Sequence, residues 1–242
     1  MGGKRERGKG VASAVFLLHD GAMEIPLVLH NFWVSSASHR VRIALHHKGL
    51  PFEYVSVTIQ HQDTEQFASY RAMNPQGLVP MLIHRDVKLT QSLAILEYLE
   101  EIAPGSPLLP GSAKDRARVR SLAQYVVSEI QPLQNLRVFR YIQSAYNKTE
   151  AEGMAWRRHW VSIGLDALEK ELQSPETGVF CHGDAPTLAD ACLVPQLHAA
   201  RRWGLDTSKW PTVDRIGNHA ETLSAFQKAA PENQPDAPQK AR

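Results

Sequence analysis

Residues 25–49 read IPLVLHNFWVSSASHRVRIALHHKG, and their reading decides the fold of the first part of this 242-residue chain. Ile25 to Phe32 is a mostly apolar run of strand length, while Val41, Ala44, Leu45 and Lys48 repeat at helical spacing until Gly49 stops the pattern. A strand over 25–32 therefore feeds a helix over 37–48, and Ser35, Ser36 and Ser38 cluster where that helix begins. Unpaired backbone N–H groups and the positive end of the helix dipole favour an anion there by roughly 0.3–1 kcal/mol, and a serine hydroxyl adds one directed hydrogen bond. A serine at such a place also serves as a plain helix cap, so context must decide between the two.

The context lies downstream, in Asn74-Pro75-Gln76-Gly77-Leu78-Val79-Pro80-Met81-Leu82-Ile83 and then Thr90-Gln91-Ser92-Leu93-Ala94-Ile95-Leu96-Glu97-Tyr98-Leu99. A proline directly before a strand is a place where a cis peptide offers backbone N–H and C=O to a ligand instead of to the sheet. Gln91-Ser92 opens the next helix, whose free N–H groups and hydroxyl suit a carboxylate.

Up to about Ala103 the pattern alternates: strand 25–32, helix 37–48, strand 52–58, helix 64–72, strands near 81–84 and 87–89, helix 91–102. That alternation makes an α/β unit. A Pro/Gly-rich linker at 104–112 follows, and the region 113–230 carries helical stripes without comparable strand signal, one through Val119, Leu122, Val126, Ile130 and Leu133, another through Trp156, Trp160, Ile163, Ala167 and Leu168. Both stripes are expected to be core. Pro132 should remove the bond to the Ser128 carbonyl and kink the first long helix, aiming Gln131 and Asn135 at the first domain. Thr187 and Asp190, three residues apart before an apolar run, match a capping box with a structural role.

Composition excludes several functions. With 27 Lys plus Arg against 25 Asp plus Glu, the net charge of +2 gives no footprint for nucleic acid. Cys181 and Cys192 make neither a disulfide framework nor a zinc spacing with His182 and His198, so no metal is expected and a reducing, cytoplasmic compartment is. No run approaches the roughly 20 apolar residues that cross a bilayer. Residues 1–24 weakly imitate a signal peptide but lack a cleavage site; they are expected to be a disordered extension from a start-site artefact or cloning remnant, with Met23 a plausible natural start. Residues 231–242, with their prolines, are expected to form an irregular, mobile tail.

From about Pro26 to Pro238 the chain resembles the zeta-class glutathione transferases, which include maleylacetoacetate and maleylpyruvate isomerases. Six ordered blocks carry the resemblance: SSASHRVRIAL at 35–45, NPQGLVPML at 74–82, LTQSLAILEYLEE at 89–101, IQPLQNLRV at 130–138, TLADACLVPQ at 187–196 and AFQKAAPENQPDAP at 225–238. The resemblance implies a thioredoxin-like domain at 25–103, an all-helical domain at 113–230, and a homodimer. It implies glutathione as cofactor in a cis–trans isomerisation of maleylacetoacetate or a similar maleyl keto acid of aromatic catabolism, by reversible thiolate addition to the double bond.

By resemblance, Ser35 faces the thiolate, supported by Ser36 and Arg40. Gln91 and Ser92 hold the γ-glutamyl end, Val79 and cis-Pro80 pair with the cysteinyl backbone, and Gln66 reaches the glycyl end. Gln131 and Asn135 complete the glutathione site, while Arg202 grips a substrate carboxylate, a task suited to its planar fork.

Two residues depart from the family pattern. Ala37 stands where many zeta members carry Cys, and Val34 stands where the family usually places an Arg. The second change removes one anchor for a diacid, a loss on the order of 1.5–3 kcal/mol. It favours, as an alternative, a general transferase or dehalogenase acting on α-halo acids. A non-catalytic binding protein of the same fold is a third possibility, and the presence of Ser35, Pro80, Gln91 and Ser92 weighs against it.

Overall fold

The computed structural model describes residues 27–59 and 63–239, together with the backbone of a two-stranded ribbon in which β1 (Phe16–Leu17) pairs antiparallel with β2 (Met23–Glu24). The remainder of the expected N-terminal extension lies outside the described residues.

β3 (Leu27–Asn31) alternates buried and half-buried positions, with Leu27, Leu29 and Asn31 inward. It runs through Phe32–Ser35 into α1 (Ser36–His47). β4 (Phe52–Ser56) then pairs parallel with β3, Leu27 opposite Phe52 and Asn31 opposite Ser56, the crossover that a parallel pair requires being α1. After α2 (Glu65–Met73), β5 (Met81–His84) runs antiparallel to β3 and turns into β6 (Val87–Thr90) through Arg85, which takes a φ of 57°. The sheet order is β4-β3-β5-β6, and α3 (Ser92–Ile102) completes a thioredoxin-like α/β half.

The second half is helical: α4 (Ala113–Gln124), a π-helical stretch at Tyr125–Ile130, α5 (Gln131–Gln134), α6 (Leu136–Ala145), α7 (Glu150–Glu171), α8 (Leu188–Arg202), α9 (Pro211–Ala220) and α10 (Ser224–Ala229). The distortion expected at Pro132 is distributed along the helix. The chain widens to π geometry ahead of the proline, with the Gln131 N–H bonded to the Val126 carbonyl, and breaks three residues after it at Asn135, whose ψ is 147°. Widening the turn is one way to accommodate a residue that lacks an N–H and whose ring crowds the preceding turn.

One apolar cluster runs through both halves, from Leu29, Leu45, Leu82 and Leu96 to Val119, Leu165, Leu193 and Ile216. Within it α1 packs against α3, α8 and α10, which explains why Ser38, His39, Arg40 and Arg42 are buried on a helix of 12 residues. The loop after α3 also fastens the halves: the Glu100 carboxylate accepts from the Leu108 and Leu109 N–H groups, and the Leu188 N–H donates to the Leu108 carbonyl. Both cysteines are buried and unpaired.

Two expectations are corrected. The buried face of α7 is Gly153, Arg157, Val161, Leu165 and Leu168; of the expected stripe only Leu168 belongs to it, Trp156, Trp160 and Ala167 being half-buried and Ile163 47% exposed. The long aliphatic stem of Arg157 takes a core position because its guanidinium donates to the Gln134 carbonyl and lies 3.9 Å over the Phe139 ring. From Pro231 to Gln239 the described chain is not a loose tail. It makes one 3-10 turn, Pro231–Asn233, and returns along the first half, where Asp236 accepts hydrogen bonds from Tyr54, Ser56 and Trp33.

Candidate active site

The N-termini of α1 and α3, the turn before β5 and the helices α5 and α6 meet around a cavity of about 760 Å³. Ser35, Ser36, Val79, Pro80, Gln91, Ser92, Gln131, Asn135 and Arg202 all line it, as do the two departing residues Val34 and Ala37. Gln66 does not. It sits on α2 with its amide 3.4 Å from the Ser56 carbonyl.

Ser35 caps α1 by accepting the Ser38 N–H at 3.2 Å, while its own N–H donates to the Phe32 carbonyl at 3.0 Å. Capping uses a lone pair of the hydroxyl oxygen and leaves its proton to donate into the cavity, so the cap and an anion-holding role are compatible. Ser36 is turned elsewhere, donating to the Pro195 carbonyl of α8 at 3.4 Å. No acidic residue occupies the first turn of α1.

The Val79–Pro80 bond is cis. Val79 lies outside the ladder, which starts at Met81, and the preceding carbonyl, of Leu78, is gripped by the Tyr70 hydroxyl at 2.6 Å and the Asn74 amide at 2.7 Å. Tyr70 and Asn74 thus set the turn without entering the cavity lining. Gln91 adopts φ 69°, in the left-handed region, and its amide donates to Gln76 at 2.9 Å. The next residue, Ser92, begins α3 with no acidic residue in that helix's first turn.

Arg40 lies behind this wall rather than in it. Fully buried, its Nη1 donates to Ser92 Oγ at 3.2 Å and to Gln131 Oε1 at 2.6 Å, whereas Nε and Nη2 have no partner. Burial lowers its pKa, and the nearby Cys192 only partly opposes that. The expected role at the start of α1 is corrected accordingly: Arg40 is the fifth residue of the helix, and its side chain projects toward α3 and α5. Asn135 uses Oδ1 to cap α6 through the Arg137 N–H at 3.1 Å.

The opposite wall carries four arginines, Arg137, Arg140, Arg157 and Arg202, and among the described residues no Asp or Glu lines the cavity. Arg202 is solvent-accessible, with its guanidinium 5.8 Å from the centre of the Trp203 ring. Arg157 is buried; desolvation, and then the charge of Arg202, lowers its pKa to about 10. Such a wall attracts anions and focuses their approach. Of the four, only Arg202 was expected. The spacing of Arg137 and Arg140, three apart on an amphipathic helix, was a readable signal, whereas Arg157 was hidden by the tryptophan stripe beside it.

This architecture has known counterparts. Residues 29–107 match the family described as Glutathione S-transferase, N-terminal domain, and residues 164–217 match Glutathione S-transferase, C-terminal domain. A probable maleylacetoacetate isomerase of Vibrio cholerae serotype O1 is 41% identical over 212 residues, 87% of this chain and 98% of its own length. A solved structure of a maleyl pyruvate isomerase, described as a bacterial glutathione S-transferase in zeta class, is 42% identical with a TM-score of 0.83, covering 87% of this chain and 100% of that one. A maleylacetoacetate isomerase from Methylobacterium extorquens AM1, solved with bound malonate and GSH, is 40% identical with a TM-score of 0.83, covering 87% of this chain and 99% of that one. The chain belongs to the glutathione S-transferase family and, within it, to the zeta class.

Proposed function

We propose that this protein is a glutathione-dependent cis–trans isomerase of a maleyl keto acid, maleylacetoacetate or a close analogue. The observation that carries the reading is a single cavity with a hydroxyl donor at an acid-free helix N-terminus on one side and an all-arginine charge set on the other. Relatives named for this activity, one of them solved with bound GSH, support it.

The residues present fit glutathione. Ser92, backed by a buried guanidinium with two unpartnered nitrogens, suits a carboxylate at the start of α3. Val79, outside the β ladder, suits a peptide backbone, and the free Ser35 proton suits a thiolate. When bound, glutathione supplies a thiolate that adds reversibly to the substrate's double bond and so permits its rotation.

A free thiol has a pKa near 8.5, so lowering it by about one unit requires ~1.4 kcal/mol of selective thiolate stabilisation. Ser35 and the α1 N-terminus supply that together, from a hydrogen bond to a charged group and the helix dipole. Arg202 orients a substrate carboxylate. Arg137, Arg140 and Arg157 place further positive charge around the same space, which offsets the anchor missing at Val34. Gln91, Gln131 and Asn135 shape the glutathione end of the cavity.

The chain works as a cytoplasmic homodimer in this reading. Family resemblance supports the dimer, and among the described residues no helix is long and apolar enough to cross a membrane. The second reading, a transferase or dehalogenase of α-halo acids, is favoured by Val34 on the cavity wall.

Maleylacetone assayed with substoichiometric glutathione separates the two. Many product molecules per thiol are expected; consumption of one thiol per halo acid, with no isomerisation, would establish the second reading instead. Elution from a sizing column at the mass of one chain would contradict the dimer.

A further inference from the structure

We propose that Asp236 is a positioning residue for the Ser35 hydroxyl, so that the C-terminal segment completes the active site from outside the cavity; the inference rests on the thiolate reading above. Asp236 does not line the cavity. Its carboxylate instead collects three donors: the Trp33 N–H at 3.2 Å, the Ser56 hydroxyl at 2.7 Å and the Tyr54 hydroxyl. Tyr54 and Ser56 belong to β4, the neighbour of β3, and Trp33 lies in the short loop that joins β3 to Ser35.

The other side of the same loop is held by Arg42. Its buried guanidinium donates to the Trp33 carbonyl at 2.9 Å, the Phe32 carbonyl at 3.4 Å, Asn31 Oδ1 at 3.0 Å and the Ala229 carbonyl at 3.0 Å. Trp33 is therefore fixed at both its N–H and its C=O, two residues before Ser35. The chain from Ala229 to Asp236 contributes to both anchors, as an acceptor for Arg42 at one end and an acceptor for Trp33 at the other.

A hydroxyl on a two-anchored loop keeps one position relative to the cavity. Release of the Asp236 side leaves three donors unpaired, one of them in that loop, and lets residues 33–35 shift. Displacements of an ångström or less at a reacting group change rates by up to about a hundredfold, so an effect on chemistry is expected without any contact between Asp236 and the reacting atoms. Burial, and then the bond to Asp236, keeps the Tyr54 phenol above its ordinary pKa, so it remains a donor throughout the working pH range.

The test is the pH profile of kcat/KM for glutathione-dependent isomerisation, with kcat and KM for glutathione separated, in the full-length wild type, Asp236→Ala, the milder Asp236→Asn, and Ser35→Ala. Ser112→Ala removes an exposed helix cap that does not line the cavity and serves as a control for general destabilisation. All are measured well below each variant's unfolding temperature.

Asp236→Ala is expected to move the acidic limb upward by ~0.5–1 pH unit and to lower kcat about three- to tenfold, with Asp236→Asn intermediate. Ser112→Ala should lower only the melting temperature. If both Asp236 variants keep the wild-type limb and kcat while Ser35→Ala loses them, the positioning role is overturned and the thiolate reading stands. If Ser35→Ala itself leaves limb and kcat unchanged, the thiolate reading falls, and the positioning role with it.

Discussion

The helices α1 and α8 both start at a hydroxyl residue, yet one N-terminus is sealed and the other open. At α8, Asp190 accepts from the Thr187 N–H at 2.8 Å, the Thr187 hydroxyl at 2.7 Å and the Cys181 N–H at 2.8 Å, all of it buried. The helix supplies its own anion. At α1 the equivalent three-residue step ends in Ser38, whose backbone N–H is capped by Ser35, and no carboxylate fills the first turn. α3, which also opens on the cavity, lacks an acidic first turn too, as do α5, α6 and α10, whereas α2, α4, α7 and α9 have one. A helix N-terminus becomes a binding feature when the sequence withholds the charge that would otherwise neutralise it.

Removing the capping hydroxyl at the open end should act mainly on catalysis. Ser35→Ala is expected to reduce kcat/KM by about tenfold, the equivalent of ~1.4 kcal/mol of thiolate stabilisation, while losing only ~1 kcal/mol of stability as a cap; steady-state kinetics beside denaturant melts measure both. The reverse holds at the sealed end. Asp190→Ala should cost about 2–4 kcal/mol, since it removes a cap and leaves buried donors unpaired, with kcat intact at temperatures where the variant is folded. A fully stable but inactive Asp190→Ala protein would break the comparison.

A smaller change converts the open end toward the sealed one. Ala37→Glu places a carboxylate in the first turn of α1, on the cavity wall. It should stabilise the helix by about 0.3–1 kcal/mol yet raise KM for glutathione roughly tenfold through repulsion of the thiolate, as kinetics and a thermal melt will show.

The smallest effect expected is in pH dependence. His39 on α1 is buried with neither ring nitrogen bonded, and burial first, then Arg42, His198 and Arg40, lowers its pKa well below 6.5. The unfolded chain therefore binds the extra proton first. Stability is complete above about pH 6.5 and is lost as pH falls through that value toward the lower folded pKa, by ~1 kcal/mol near pH 5.5. His39→Gln should flatten urea-derived stability between pH 7 and 5.5.

Much of the first half was legible because strand and helix periods switch cleanly between 25 and 102, and because Ser35, Pro80 and Gln91-Ser92 sit at element boundaries that punctuation residues mark. Other features depend on distance in space. Gln66 is kept out of the cavity lining by its place on α2, and Arg40 faces α3 and α5 because α1 is packed among α3, α8 and α10. Arg157 stands beside two tryptophans that any hydropathy pattern prefers, and its burial depends on an aromatic ring and a carbonyl contributed by other helices. The docking of Asp236 joins residues 203 apart in sequence, and no local pattern encodes that contact.

The central claim, that the α1 N-terminus and Ser35 hold glutathione as a thiolate, is tested most directly by ultraviolet titration of the thiol bound to wild type and to Ser35→Ala. A pKa about one unit below 8.5 in the wild type, returning toward 8.5 in the variant, is predicted. An identical titration of the bound thiol in both proteins would contradict it.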